Sequence, residues 1–366
     1  MGGALLKTWN LPEKRIHSSE YEKIKNELIE KLTQDSYMTD QFGDDDEPFL
    51  LHFTSAPYVR DKETHGDLDL IAGRFNYKGC TTHWKLKSGK TTDFSVYIQE
   101  QFGYKPFVND KVYSFPYKGF QIDVTFCNMG DIPSYVSYSS WGDLGNIMGR
   151  VFHKMGLHYG HSGLSFWIRQ GLFDSNLQWS DSDHLYDKVV LTKDTKEICE
   201  IGGFDYNRWK QGFDTEQEAF DFVIDSKYFN KELFELENLN HTNRTRNRKR
   251  GMYMRFIEYV ADSNKVGEPF LGKNEYSLIM QCRYSILQNA IDKFRLLYEV
   301  DKVVKEKING KLVMEWCNLT EKDGRLVGKI MSEIRDIPKY DLLLMSQSEI
   351  KRKAVDIFAN LVIVQE

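Results

Sequence analysis

The sequence predicts an α+β fold: a sheet with flanking helices, followed by a mainly helical C-terminal region. Three observations carry that prediction. An amphipathic helix opens the chain, short apolar or alternating runs fill residues 49 to 127, and helix-period apolar positions recur through the second half. With 366 residues there is room for more than one core, and the expected division is 1–170 for the sheet-bearing region and 171–366 for the helical one.

In order along the chain, SSEYEKIKNELIEKLTQ (18–34) sets Tyr21, Ile24, Leu28 and Leu32 on one helical face, with Ser18 and Ser19 as candidate N-caps. GDDDEP (43–48) reads as an acidic turn, and FLLHFTS (49–55) as a buried strand. DLDLIAGRF, KTTDFSVYIQ and YKGFQIDVTFC are three further strands by their β-branched and aromatic content. WGDLGNIMGRVFHKMG then reads as a helix, which places helices on one side of the sheet. Helical periodicity continues around 214–236, 252–263, 275–306 and 324–335.

Composition narrows the function classes. At 41% hydrophobic and 28% charged the chain has the balance of a soluble globular protein. No window approaches the roughly 18 unbroken apolar residues of a membrane span, so no membrane partner is expected. The start lacks a basic segment followed by an apolar one, as a secretory leader requires. Five cysteines are scattered and never form a CxxC pair, which points away from zinc or a disulfide framework and toward a cytoplasmic or other reducing intracellular compartment. A net charge of -5 argues against coating nucleic acid by bulk charge, while leaving room for a locally basic track.

The chemistry concentrates in two short stretches. THGDLDLIAG puts Asp67 and Asp69 two apart on a strand, so both side chains point to one face. FQIDVTFC supplies Asp123 on a second strand, again among alternating apolar residues. If the strands are neighbours, three carboxylates meet and can hold two Mg²⁺ or Mn²⁺ ions about 4 Å apart, an arrangement that clamps in-line phosphoryl displacement. The alternative is a solvent-facing strand end with no ligand. Upstream, Thr54-Ser55-Ala56 closes an apolar strand, where hydroxyls and backbone N–H groups can cradle phosphate.

With these residues the chain resembles the DNA-polymerase-beta-like nucleotidyltransferase superfamily. That family's signature is a Gly-Gly or Gly-Ser turn, a short spacer, a DxD strand and a later single Asp. Here the turn is Thr54-Ser55, with Thr standing where the family has Gly; the DxD is Asp67-Leu68-Asp69; the later acid is Asp123. The resemblance implies a mixed sheet of nucleotidyltransferase type, catalytic and metal-holding roles for Asp67, Asp69 and Asp123, and contacts from Thr54 and Ser55 to a nucleoside triphosphate.

GNIMGRVFHKMGLHYGHSGLSFWI is similar to the central stretch of poly(A)-polymerase-like, template-independent enzymes. Carried over, triphosphate contacts fall to Lys154 and Ser165, with Arg150 a further candidate; alternatively Lys154 is an exposed helix lysine. Residues 307–334 resemble the C-terminal glycine pattern of bacterial-type tRNA nucleotidyltransferases and poly(A) polymerases, with Gly310, Leu319, Gly324 and Gly328 in place. The RRD-type and EDxxR-type motifs of tRNA nucleotidyltransferases are absent.

NHTNRTRNRKRG clusters Arg244, Arg246, Arg248, Lys249 and Arg250, which can neutralise RNA phosphates or can be a solvated loop. His65, His153, His158 and His161 match no HExxH or HxH spacing and read as ordinary histidines; His184 with Asp181 and Asp183 reads as a capped loop. The expectation is a metal-dependent nucleotidyltransferase moving a nucleoside monophosphate from a triphosphate to a hydroxyl, first of all the 3′ end of RNA. A small-molecule, protein or second-nucleotide acceptor is the alternative, and a non-catalytic nucleotide-binding or scaffold protein the last.

Overall fold

A computed structural model of the chain describes residues 3–39, 51–74, 81–86, 90–173, 184–263, 266–267, 280 and 283–363. The acidic turn at 43–48, the start of FLLHFTS, and Asp181 and Asp183 lie outside the described residues. The chain forms two compact units, one of Met1–Trp167 with Val190–Ile279 and one of Ile168–Val189 with Met280–Glu366. The sheet-bearing region expected over 1–170 lies almost wholly in the first unit, which also takes in 190–279. No helix among the described residues is long and apolar enough to cross a membrane.

The chain enters the first unit through β1 (Ile16–His17), α1 (Ser18–Asp35), β2 (Ser36–Thr39), β3 (His52–Thr54), β4 (Thr64–His65) and β5 (Asp67–Arg74). It continues through β6 (Thr81–Lys85), β7 (Thr91–Thr92), α2 (Phe94–Phe102), β8 (Phe107–Asn109), β9 (Val112–Tyr117) and β10 (Phe120–Asn128). After these come α3 (Ile132–Ser139), α4 (Leu144–Lys154), β11 (Leu157–Gly160), β12 (Gly163–Arg169) and β13 (Leu185–Thr192). Five helices follow: α5 (Thr195–Gly202), α6 (Tyr206–Gln211), α7 (Glu216–Ile224), α8 (His241–Asn247) and α9 (Gly251–Asp262).

The central sheet has the order β3-β5-β10-β9-β8. β5 and β10 run parallel, while the other neighbours are antiparallel, so the sheet is mixed. Strict alternation splits its faces. Leu68, Leu70 and Ala72 of β5, with Ile122, Val124 and Phe126 of β10, turn to one side and pack on Tyr21, Ile24, Leu28 and Leu32 of α1. Each leucine, isoleucine, valine or phenylalanine side chain so removed from water stabilises the fold by about 1.5–3 kcal/mol. The helix starts at His17, whose Nδ1 accepts from the Ser19 N–H, one residue before the serines expected as caps.

Two sequence readings need correction here. KTTDFSVYIQ does not form one strand: after the two-residue β7 the chain turns into α2. Asp93 accepts from the Val96 N–H as N-cap, and Phe94, Tyr97 and Ile98 share one buried helical face. A side-chain cap and an i, i+3, i+4 stripe outweigh β-branched content over so short a run. Helices also lie on both sides of the sheet, because Ile71 and Cys127 of the second face pack against Ile132 and Tyr135 at α3. Gly73 permits that approach, since a Cβ there would fall 2.2 Å from Ile132 Cδ1. Helix α3 covers only the far end of this face, and the Asp67 end stays open.

The second unit is mainly helical, as predicted. It carries α10 (Ser285–Lys307), α11 (Gly310–Trp316), α12 (Gly324–Arg335), α13 (Lys339–Leu344) and α14 (Gln347–Ile363). Its core gathers Val313, Val327, Ile330, Ile334, Leu342, Ile350 and Ala354. Gly310 and Gly324 are the first residues of α11 and α12, and Gly328 sits mid-helix with open space around it.

Candidate active site

The parallel pairing of β5 with β10 sets Asp123 directly opposite Asp69 and Gln121 opposite Asp67. Because successive strand residues alternate faces, all four side chains project from the open face, about 4.8 Å apart from strand to strand. On the other flank of β10, β9 places Ser114 opposite Asp123. Gln121 Nε2 donates to both oxygens of Asp123, at 2.9 and 3.2 Å, and the Ser114 hydroxyl is a further partner. Gln121 is itself fixed, its Oε1 accepting from the Leu5 N–H at 3.0 Å.

Asp67 and Asp69 line a concave pocket of about 410 Å³. One wall is the chain that follows β3, Ala56 to Val59, together with Lys62. A second is His65 stacked on Tyr21, with ring centroids 3.8 Å apart. The third comprises Ser139, Trp141 and Gly142, then Asp143 at the start of α4, with Met252 and Arg255 of α9 and Glu216 of α7. Trp141 and Gly142 are both left-handed, at φ 62 and 73, a strained turn held by the Trp141 N–H donating to the Pro57 carbonyl at 2.8 Å. The Trp141 indole N–H is buried with no partner among the described residues.

Electrostatics make this pocket costly without a cation. The Asp69 side chain reaches solvent but is crowded by protein at the pocket floor. That crowding, then the charges of Asp67 and Asp123, pushes its carboxyl up to about 7. Burial likewise raises Asp67 and Asp123, with Ser114 and Gln121 pulling Asp123 back down. Lys62 is the compensating cation: desolvation lowers its ammonium, and Asp67 and Asp69 raise it. His65 is pushed down to about 4 by burial and by Lys62 and Arg15, so it is neutral at ordinary pH and serves as a wall.

The donor set is all oxygen, three carboxylates with a serine and a glutamine behind them, which suits a hard cation such as Mg²⁺ or Mn²⁺. Among the described residues no group of three or more His, Cys, Asp or Glu side chains closes on one point to hold an ion. The Asp123 carboxylate is turned to Gln121, and like charges on Asp67 and Asp69 oppose closure. The residues fit the ion in type and face, with the three groups arranged around an open mouth.

Other expected residues fall elsewhere. Thr54 ends β3 opposite Ile71 and, with Ser55, is half-buried just before the pocket wall begins at Ala56. Lys154 is the last residue of the 11-residue α4, about 16 Å along the helix from Asp143 at its start. Arg150 is buried and directs Nε at the Leu233 carbonyl. Ser165 is buried in β12, donating to the His158 carbonyl and accepting from Trp167 Nε1. These three are not brought to the carboxylates. Two further histidines stack on aromatic neighbours, His158 on Trp167 and His161 on Tyr135.

The basic cluster divides. Arg244 is turned inward, donating to the carbonyls of Leu236, Glu237 and Leu239 at 3.0–3.1 Å. Arg250 is ion-paired with Asp143. Arg246, Arg248 and Lys249 are exposed. Arg246 and Lys249, with Arg250, line an open groove beside α8 that also reaches Asp143. Lys62, Gln121, Ser114 and the Glu216–Arg255 pair were not singled out by the sequence. Only the nearness of Lys62 to the DxD carried any signal there.

What the fold and site define is a carboxylate-floored pocket on a mixed sheet. No family model matches the chain, and no curated protein matches it. Among solved structures it is similar to Leishmania infantum polymerase beta in a ternary P/T complex, with TM-score 0.33 and 16% identity over 55% of this chain and 84% of that one. The ternary gap complex of the same polymerase gives TM-score 0.32 and 16% identity over 53% and 69%. Likeness at that level carries no weight, and the functional reading rests on the pocket.

Proposed function

We propose that the chain is a metal-dependent nucleotidyltransferase that moves a nucleoside monophosphate from a nucleoside triphosphate to a hydroxyl, with the 3′ end of RNA as acceptor. The observation that supports it is the pairing of Asp69 with Asp123 on one sheet face, with Asp67 beside them and both Asp67 and Asp69 lining a concave pocket. Asp67, Asp69 and Asp123 would hold two Mg²⁺ or Mn²⁺ ions, which neutralise triphosphate charge and lower the pKa of the attacking hydroxyl.

The chain's own residues then divide the work. Lys62 would meet the triphosphate, with Thr54 and Ser55 directly preceding the wall residue Ala56, while Arg255 is held on the opposite wall by its pair with Glu216. The stacked Tyr21 and His65 exclude water from one side. Asp69 and Asp123 stand abreast where the acceptor hydroxyl would pass its proton to a carboxylate oxygen of this pair. The acceptor oxygen bonds to the α-phosphorus, the bond from that phosphorus to the β-phosphate bridging oxygen breaks, and pyrophosphate leaves. The exposed cations Arg246 in α8 and Arg248 and Lys249 just past its end favour a polyanionic acceptor over a small molecule.

Incubation with each labelled nucleoside triphosphate, Mg²⁺ and a panel of RNA 3′ ends tests the reading. Extension on a gel supports it. Triphosphate consumption without extension moves the acceptor to a small molecule, a protein or a second nucleotide. The absence of both leaves a nucleotide-binding or scaffold role.

A further inference from the structure

Thr242, Thr245 and Arg246 share one face of α8 by their i, i+3, i+4 spacing, and Lys249 follows in the turn just past the helix end. Thr242, Thr245, Arg246 and Lys249 all line the groove beside α8, about 790 Å³ and open to solvent, whose far wall is Arg250 and Asp143. Neither Arg246 nor Lys249 is ion-paired with another described residue, whereas Arg250 is neutralised by Asp143. Groove and acid pocket share Asp143. His161 Nε2 lies 3.3 Å from Ser139 Oγ on the pocket wall. The charge of Arg246 helps burial hold that histidine below its usual range.

We propose that this groove holds the backbone phosphates of a single-stranded RNA acceptor through Arg246 and Lys249, next to the terminal hydroxyl in the acid pocket. The inference rests on the nucleotidyltransferase reading for the direction in which the strand runs. Charge complementarity carries the choice of occupant: two unneutralised cations and two threonine hydroxyls line one open groove, whose edge residue Asp143 also lines the pocket of Asp67 and Asp69. The Asp143–Arg250 pair marks the boundary, keeping a carboxylate at the junction from repelling the strand. Arg244, facing inward, and Arg248, outside the groove lining, take no part in the contact.

The test is binding of a fluorescent single-stranded RNA oligonucleotide to the full chain, by anisotropy across a salt series with EDTA present. Arg246→Gln and Lys249→Gln each weaken binding and each reduce the slope of log K against log salt by about one. Lys196→Gln, on α5, leaves both unchanged. The conservative Lys249→Arg retains the wild-type slope, which separates lost charge from a damaged fold. Unchanged affinity and slope in Arg246→Gln/Lys249→Gln, or no RNA binding by the wild type, overturns the proposal. If the groove variants lose RNA while the wild type never releases pyrophosphate, the groove stands and the reading of the acid pocket falls.

Discussion

Asp123 faces Asp69 across the parallel strand pair β5–β10 of the central sheet, so backbone register sets two acidic residues abreast on one face. Asp69→Asn should therefore abolish metal-dependent turnover while making the metal-free protein more stable, by on the order of 1 kcal/mol after solvent screening. Thermal denaturation in EDTA checks the second half; a less stable Asp69→Asn protein would contradict the repulsion described.

The pH dependence follows in sign. The folded carboxyl of Asp69, at about 7, lies above its usual 3.8. Its contribution to stability is thus fully present below the unfolded value and lost as pH rises through the folded one. In EDTA the wild type should lose stability relative to Asp69→Asn between about pH 4 and about pH 7, and Mg²⁺ should stabilise the wild type more at the upper end. Parallel melting curves at several pH values, with and without Mg²⁺, measure it; a constant difference would contradict the assignment.

Gln121 holds Asp123 by both oxygens. Gln121→Leu should weaken Mg²⁺ affinity about 10- to 100-fold, as loss of a partner behind a ligand commonly does. Metal titration of the variant decides, with an unchanged affinity showing the bond to be incidental.

Lys62 lines the carboxylate pocket, and Lys154 stands at the far end of α4. Lys62→Gln should raise KM for the nucleoside triphosphate about tenfold, or about 1.4 kcal/mol, with Lys154→Gln near wild type. The reverse ranking in steady-state kinetics would favour the assignment drawn from sequence resemblance.

Gly73 lets α3 close on the sheet's second face. Gly73→Ala should cost about 1–3 kcal/mol through overpacking against Ile132. Chemical denaturation checks it, and a loss under about 0.5 kcal/mol would mean that α3 moves freely aside.

The legible parts of the sequence were those governed by local periodicity. Alternation around Asp67, Asp69 and Asp123 revealed both the strands and the face, and the four buried residues of α1 follow directly from helical spacing. KTTDFSVYIQ misled because its β-branched residues masked the Asp93 cap. Lys154 and Ser165 are near in sequence to a helix that starts at the pocket, but proximity in sequence does not fix which end of that helix is used. Gln121 and Arg255 reach the site through strand register and through the packing of α9, and neither leaves a local pattern. The basic run was visible as a count of charges; only its folded helix shows that Arg244 and Arg250 spend theirs internally.

The most direct test of the central claim is pyrophosphate release from nucleoside triphosphate plus acceptor RNA, measured across a Mg²⁺ titration for the wild type and Asp67→Asn. Nucleotidyl transfer at the three carboxylates predicts release that depends on Mg²⁺ in the wild type and is absent in a folded Asp67→Asn protein. Release that survives in Asp67→Asn, or that needs no divalent cation, would contradict it.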